Sequence, residues 1–322
     1  MPLWNDLAGL TVRIDDYAVR RNELVRDGWT RVTTVVAMTG AGATGEGEDI
    51  TWQADAHDDF PDGIMLAGTW SLDDLSRRLD DHDLTDYRRW SFESAALDLA
   101  LKQVGQSLAD ITERPFRPVR FVASIRDVDG WLGYYPGLEL KLDAAKDWDA
   151  DRMQRLDALD RVRVVDLKAY YGDYGDIAPD PVFYRGVVEA FPNAVIEDAW
   201  LEDGCLDALQ GAEDRLSFDA PVHSLADLDA LPLEPRWLNV KPSRFGTVRT
   251  LLECIEACAE RGIRMYGGGQ MELGHGRLQI QKLASIFYPD GPNDVAPSAY
   301  NEGDARAGLA QSPLPPPEGV GF

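Results

Sequence analysis

The sequence predicts an α/β chain, a TIM-like (β/α) barrel preceded by a smaller α+β domain. Three observations carry this. From about Pro118 onward, short apolar runs alternate with amphipathic stretches, the pattern of parallel strands joined by crossover helices. Eight such runs are present, which favours a closed barrel over an open sheet. Before Pro118 the order differs, with strand-like segments first and helical ones after. The 322 residues suffice for one large barrel and a smaller partner, and a 44% apolar content can fill a sizeable core.

In the first third, Trp29–Met38 is β-branched and apolar and reads as a strand, with Gly45–Trp52 as its return partner. Helical periodicity follows over Leu72–Leu79 and Ser91–Leu108, where Phe92, Ala95, Leu99 and Ala100 recur on one face. The barrel runs are Phe121–Ile125, Leu138–Leu142, Val162–Val165, Ala194–Ile196, Leu216–Phe218, Trp237–Val240, Arg264–Tyr266 and a weaker Ser285–Tyr288. Helices are expected between them at Asp149–Leu159, Pro181–Phe191, Ser224–Leu231 and Thr247–Arg261. The tail from Gly303, rich in Gly, Ala and Pro, reads as irregular chain lying back on the first domain.

Basic residues number 32 against 56 acidic ones, a formal charge of −24. Such a surface repels nucleic acid and anionic membranes, so neither is expected as a partner. No apolar run is long enough to span a bilayer. The start, Met1-Pro2-Leu3-Trp4, lacks the basic and apolar regions of a signal peptide. The expectation is a cytoplasmic protein, and a homo-oligomer is compatible with it. Cys254 and Cys258 lie on the apolar stripe of an expected helix with no second ligand pair nearby. They therefore read, like Cys205, as buried small side chains rather than a zinc site. His57 and His82 fall in acidic, loop-like stretches and are expected to be solvated, while His223 and His275 fall near the barrel mouth.

Gly40-Ala41-Gly42-Ala43-Thr44-Gly45 matches the spacing of a dinucleotide-binding loop. That mechanism needs a helix to begin at the glycines. Here Glu46, Glu48 and Asp49 follow, whose charge would repel phosphate, so a hairpin loop is expected instead. The run Gly267-Gly268-Gly269 reads either as a sharp turn or as a backbone anion site.

Barrel active sites lie at the C-terminal ends of strands. Polar residues stand there in series: Lys141, Asp166, Glu197, Asp219 and Lys241, spaced 25, 31, 22 and 22 residues apart, with Gln270 and Glu272 after the seventh run. Three carboxylates on adjacent staves would converge and repel. A divalent cation removes that cost, and all-oxygen ligation suits Mg2+. The two lysines then face each other across the ion. Its charge lowers an ammonium pKa from ~10.4 toward the range of a general base.

At these residues the chain resembles the enolase superfamily, nearest its muconate-lactonizing branch, which includes o-succinylbenzoate synthases and amino-acid racemases or epimerases. The likeness covers nearly the whole chain. Gly45-Glu46-Gly47-Glu48 resembles the family's GxGE hairpin and Ser91–Gly105 its cap helix. Leu138–Leu142, Val165-Asp166, Ile196-Glu197-Asp198 and Phe218-Asp219 resemble the second to fifth strand ends. Leu238-Asn239-Val240-Lys241-Pro242-Ser243-Arg244 resembles the sixth. The resemblance implies a (β/α)7β barrel over 118–301, with an N-terminal α+β capping domain over 1–117 joined by part of the tail, 302–322. It implies Asp166, Glu197 and Asp219 as ligands of Mg2+ and Lys141 and Lys241 as bases. Asp198, Lys168, Asn239, Gln270 and Glu272 then support the ion or the substrate, and the Gly40–Gly45 loop is a substrate lid. The chain departs from the family at Glu139, where a second lysine is usual, at Lys168, where asparagine is usual, and at Ala220, where glutamate often stands.

The function implied is a Mg2+-dependent lyase or isomerase that removes the α-proton of a small carboxylate through a metal-stabilised enediolate. Dehydration of the o-succinylbenzoate type is favoured slightly over racemisation or cycloisomerisation. The alternative is a scaffold of the same fold that binds a metabolite without turnover.

Overall fold

The computed structural model describes residues 3–26, 28–145, 147–172, 178–301 and 304–322. Met1, Pro2, Glu302 and Gly303, at the expected domain limits, lie outside them.

The N-terminal domain is β-rich. Helix α1 (Leu3–Ala8) leads into β1 (Thr11–Ile14), which pairs antiparallel with β5 (Gly68–Ser71). Between them runs a three-stranded antiparallel meander of β2 (Asp16–Arg26), β3 (Trp29–Gly40) and β4 (Ala43–Asp49). The β3 and β4 strands follow the expected hairpin. The turn between them is only Ala41-Gly42, with φ 50° and 80°, the doubly left-handed geometry of a tight hairpin turn. Helices α2 (Leu72–Leu79) and α3 (Asp86–Val104) complete the domain. The α3 helix starts five residues before the expected Ser91. It stops at Gly105, whose φ of 70° closes the helix in the left-handed form. Leu108 instead opens α4 (Leu108–Ile111) behind a Ser107–Asp110 capping box.

Gly45 and Gly47 let β4 lie directly on α3. A Cβ at Gly45 would sit 2.3 Å from Ala95 O, and one at Gly47 2.1 Å from Ser91 O. The GxGE glycines are thus packing devices. Of the segment expected as a substrate lid, Gly40 packs against Arg13, where a Cβ would collide with Arg13 O, while the turn residues Ala41 and Gly42 are exposed.

The C-terminal domain curls seven parallel strands into a barrel in the order β12-β11-β10-β9-β8-β7-β6. They are β6 (Ala123–Ser124), β7 (Leu140–Asp143), β8 (Val162–Asp166), β9 (Val195–Glu197), β10 (Leu216–Phe218), β11 (Trp237–Val240) and β12 (Arg264–Gly267). Helices α5 (Val128–Tyr134), α6 (Ala150–Ala158), α7 (Pro181–Ala190), α8 (Cys205–Ala208), α9 (Leu225–Ala230) and α10 (Val248–Arg261) alternate with them, and α11 (Gly276–Phe287) follows. Cys205, Cys254 and Cys258 are all buried.

The eighth stave is not Ser285–Tyr288, which forms the end of α11 and the residue capping it. Asn293 and Asp294 close the ring instead. Val122 N donates to Asn293 O at 2.8 Å, and Asp294 N to Gly267 O at 2.7 Å. The tail folds back: Leu314 pairs with Val119, and Phe322 packs edge-on against Trp90 of α3. Among the described residues no helix is long and apolar enough to cross a membrane.

Candidate active site

The strand ends deliver their polar residues to one buried centre. Lys141 (β7), Asp166 (β8), Glu197 (β9), Asp198, Asp219 and Lys241 are all almost wholly excluded from solvent. Parallel pairing puts Asp166 level with Glu197, which brings neighbouring carboxylates side by side. Carboxylate oxygens of Asp166, Glu197 and Asp198 lie within 4.8 Å of one another. Asp219 stands one amide away, because Asn239 Nδ2 donates both to Glu197 Oε1 at 3.0 Å and to Asp219 Oδ2 at 3.2 Å.

The close set therefore includes Asp198, expected in a supporting role. Its two oxygens already accept backbone N–H groups, Oδ1 from Asp219 at 2.8 Å and Oδ2 from Ala220 at 3.2 Å. Asp219 is held differently, by side chains. Lys241 Nζ forms an ion pair with its Oδ2. Tyr171 donates to its Oδ1 at 3.0 Å and in turn accepts from Arg244 at 2.9 Å. On the other flank, Lys141 Nζ lies 2.6 Å from Glu197 Oε1 and 3.1 Å from Asp166 Oδ2.

These neighbours set the protonation states. Burial opposes the Lys141 ammonium, but Glu197 and Asp166 outweigh burial and hold it well above the usual lysine range. The protein groups alone thus push Lys141 opposite to the lowering expected from the sequence, which only an added dication would supply. Burial likewise opposes the Asp166 carboxylate, yet Lys168 and Lys141 bring it down to about 2. Glu197 is pushed up to about 7, chiefly by burial, with Asp166 and Asp219 adding repulsion against the pull of Lys141. Asp198 is raised well above its ordinary value by burial and by Asp219.

Carboxylate oxygens crowded in this way, with Glu197 and Asp198 both reluctant to ionise, suit a small hard dication. The buried Asn239 Oδ1, which has no protein partner, adds a further acceptor beside them. The residues present fit Mg2+.

Two tyrosines were not singled out from sequence. Tyr266 of β12 donates to Glu197 Oε2 at 2.6 Å from inside the barrel, with Ser217 Oγ 3.1 Å away. Tyr171 bridges Asp219 and Arg244. Tyr266 ends the seventh apolar run, and nothing in the sequence marks Tyr171.

Gln270 and Glu272 do not bond to the carboxylate centre. They belong to the loop after β12, where Gln270 N donates to Glu272 Oε1 at 2.9 Å. The cap pins this loop. Fully buried Arg31 donates to Gln270 O at 2.9 Å and to Ile50 O at 2.8 Å. Glu48 accepts from Leu273 N at 2.8 Å and Gly276 N at 3.0 Å. In the glycine run, Gly267 N donates to Asn293 Oδ1 and Gly268 N to Val240 O, so those amides serve the barrel rather than an anion. His57, expected in solvent, is buried between Thr34 Oγ1 and Thr51 O.

Two family models match the chain. Both are described as parts of a domain of unknown function (DUF8230), the N-terminal domain over residues 5–111 and the C-terminal domain over 115–302. The chain belongs to this family. Its fold is that of the enolase superfamily. An enolase-superfamily member from Listeria innocua superposes with a TM-score of 0.75 at 17% identity, covering 96% of this chain and 94% of that one. A dipeptide epimerase from Methylococcus capsulatus, solved in complex with Mg, gives 0.62 at 20% identity over 80% of this chain and 82% of its own. In sequence, an o-succinylbenzoate synthase from Bacillus subtilis is 23% identical over 242 residues, 75% of this chain and 52% of that protein. The match thus spans about half the length of that curated relative.

Proposed function

We propose that the chain is a Mg2+-dependent lyase or isomerase that removes the α-proton of a small carboxylate, with residues 1–117 as the cap and 118–301 as the barrel. The observation that carries this reading is the placement of two buried lysine side chains on opposite flanks of one carboxylate cluster. Lys141 pairs with Glu197 and Asp166, and Lys241 with Asp219.

Asp166, Glu197 and Asp219 would hold the ion. Asp198 is spent on backbone amides, whereas Asp219 is held by side chains, Lys241 and Tyr171. When bound, Mg2+ supplies Lewis-acid stabilisation of negative charge developing on the substrate carboxylate. Lys241 takes the α-proton at Nζ, from a position just inside the mouth. Lys141, biased toward its ammonium form, keeps a proton to donate on the other flank. Tyr266 and Asn239 hold Glu197 in place, and the Arg31 and Glu48 contacts hold the mouth loop against the cap, which excludes water. Likeness to an o-succinylbenzoate synthase supports dehydration as the favoured reaction within this class.

The alternative is a scaffold that binds a metabolite without turnover. It is favoured by one observation: Asp166, Glu197 and Asp219 each already have a protein cation as partner. Solvent-deuterium exchange separates the two. A panel of carboxylates is incubated in D2O with Mg2+, and incorporation is followed by NMR or mass spectrometry. Exchange that disappears in Lys241→Ala supports the enzyme reading. Exchange retained in that variant removes Lys241 as the base, and no exchange with any carboxylate favours the scaffold.

A further inference from the structure

The acidic centre carries a cation that neither proton-transfer role uses. Lys168 stands two residues after Asp166, where the resemblance expects asparagine. Its backbone lies in the left-handed region, φ 50°, a conformation that is costly for a residue bearing a Cβ. The chain there doubles back on Asp166. Lys168 N donates to Asp166 Oδ1 at 3.0 Å and Lys168 Nζ to Asp166 Oδ2 at 2.7 Å, so one residue engages both oxygens of that carboxylate. The same Nζ lies 3.0 Å from Asp143 Oδ1 at the end of β7. Asp166 is fully buried, whereas the Asp143 side chain is 44% exposed, so the lysine bridges the interior and the rim.

We infer that Lys168 is a tethered cation that competes with the divalent ion for Asp166, and that Asp143 is the seat it keeps when the ion binds. This rests on the reading of the centre as a metal site. Mg2+ needs its oxygens at about 2.0–2.1 Å in a strict octahedron. An ammonium at 2.7 Å from one of those oxygens occupies the approach and repels the dication. Lys141 also touches Asp166 Oδ2, at 3.1 Å, but its shorter contact is with Glu197, inside the cluster. Lys168 alone of the two has a second carboxylate at the rim. Swinging onto Asp143 clears Asp166 without leaving a buried charge unpaired, which would be expensive. Affinity for the ion is thereby set by the balance between two aspartates, one at each end of a lysine's reach.

Calorimetric titration of Mg2+ into the full-length protein without substrate tests this on the wild type, Lys168→Asn, Lys168→Gln and Asp143→Asn. Circular dichroism checks that each variant is folded. Removing the lysine is expected to tighten the apparent Kd by about tenfold, the scale of a partly buried ion pair. Asp143→Asn is expected to weaken it by roughly threefold, because the lysine then has only Asp166 to lean on. Both lysine variants binding with the wild-type Kd would overturn the competition and leave the metal site intact. Tighter binding by Asp143→Asn would overturn the seat. Absence of Mg2+ binding in all four proteins would remove the metal reading beneath both.

Discussion

Gly47→Ala places a methyl group where the cap hairpin and its helix already touch. The new Cβ would lie 2.1 Å from Ser91 O, 2.3 Å from Ser94 Oγ and 2.7 Å from Ala95 N. Two of these are backbone atoms of α3, which cannot turn aside as a side chain can. Restoring contact distances of about 3.4 Å requires α3 to retreat from β4 by about 1 Å. That helix is buried along most of its length, so the retreat opens gaps on its far side as well. Overpacking of this kind costs about 3 kcal/mol. The displacement also travels toward the chemistry. Trp90 on α3 lines a cavity with Pro242 and Ser243, the residues directly after Lys241. Glu93 Oε2 accepts from Val248 N at 3.4 Å a little further on. Urea denaturation should therefore show about 3 kcal/mol of lost stability, and α-proton exchange should slow by about tenfold from misplacement of Lys241. Gly137→Ala is the control, since nothing lies within 4 Å of its Cβ. A Gly47→Ala protein as stable as that control would refute the claim that these glycines exist for close packing.

Two further substitutions probe the centre and the opposite end of the barrel. Tyr266→Phe removes the donor to Glu197 Oε2, a charge-assisted bond in a buried site. It should cost about 2 kcal/mol in urea denaturation, and an unchanged midpoint would show the hydroxyl to be idle. Glu139→Lys restores the lysine usual in the resemblance but sets it between Arg120 and Arg163. It should destabilise by at least about 2 kcal/mol and give no faster proton exchange, whereas a more stable and more active variant would contradict the ion-triad reading.

What was legible in the sequence follows from where the information is stored. Strands β7 to β12 were found because barrel staves are short apolar runs, and their strand-end residues followed at once. The eighth stave escaped because Asn293-Asp294 is two polar residues held by one backbone bond on each side. Ser285–Tyr288 imitated a strand because the end of amphipathic α11 is apolar. Strand β2 escaped for a related reason. Its residues are exposed or half-buried throughout, with charges on both faces, and it is defined by pairing with β3 from Asp16↔Thr39 to Arg26↔Trp29. His57 was misread because its partners, Thr34 and Thr51, come from a strand and a loop that acidic local sequence does not announce. Tyr171 and Tyr266 carry no local sign of function, since a tyrosine hydroxyl declares its role only through the carboxylate it meets.

Glu139 and Lys141 show how one short segment carries opposite charges to different partners. Glu139 stands just before β7, and the register of β7 against β8 shifts between Leu140 and Lys141. Glu139 accepts from Arg120 at 2.6 Å and from Arg163 at 2.7 Å, while Lys141 reaches Glu197 at 2.6 Å. The usual second lysine would help a neighbouring lysine lose its proton by like-charge repulsion. Here that position is occupied by the carboxylate two arginines require, so the repulsion is absent and the local groups favour ammonium at Lys141. Lys241 pairs with Asp219, whose other oxygen accepts from Tyr171. Under the proposed function, the absence of a second lysine at 139 suits Lys141 to the proton-giving side, because the carboxylates it meets favour its charged form.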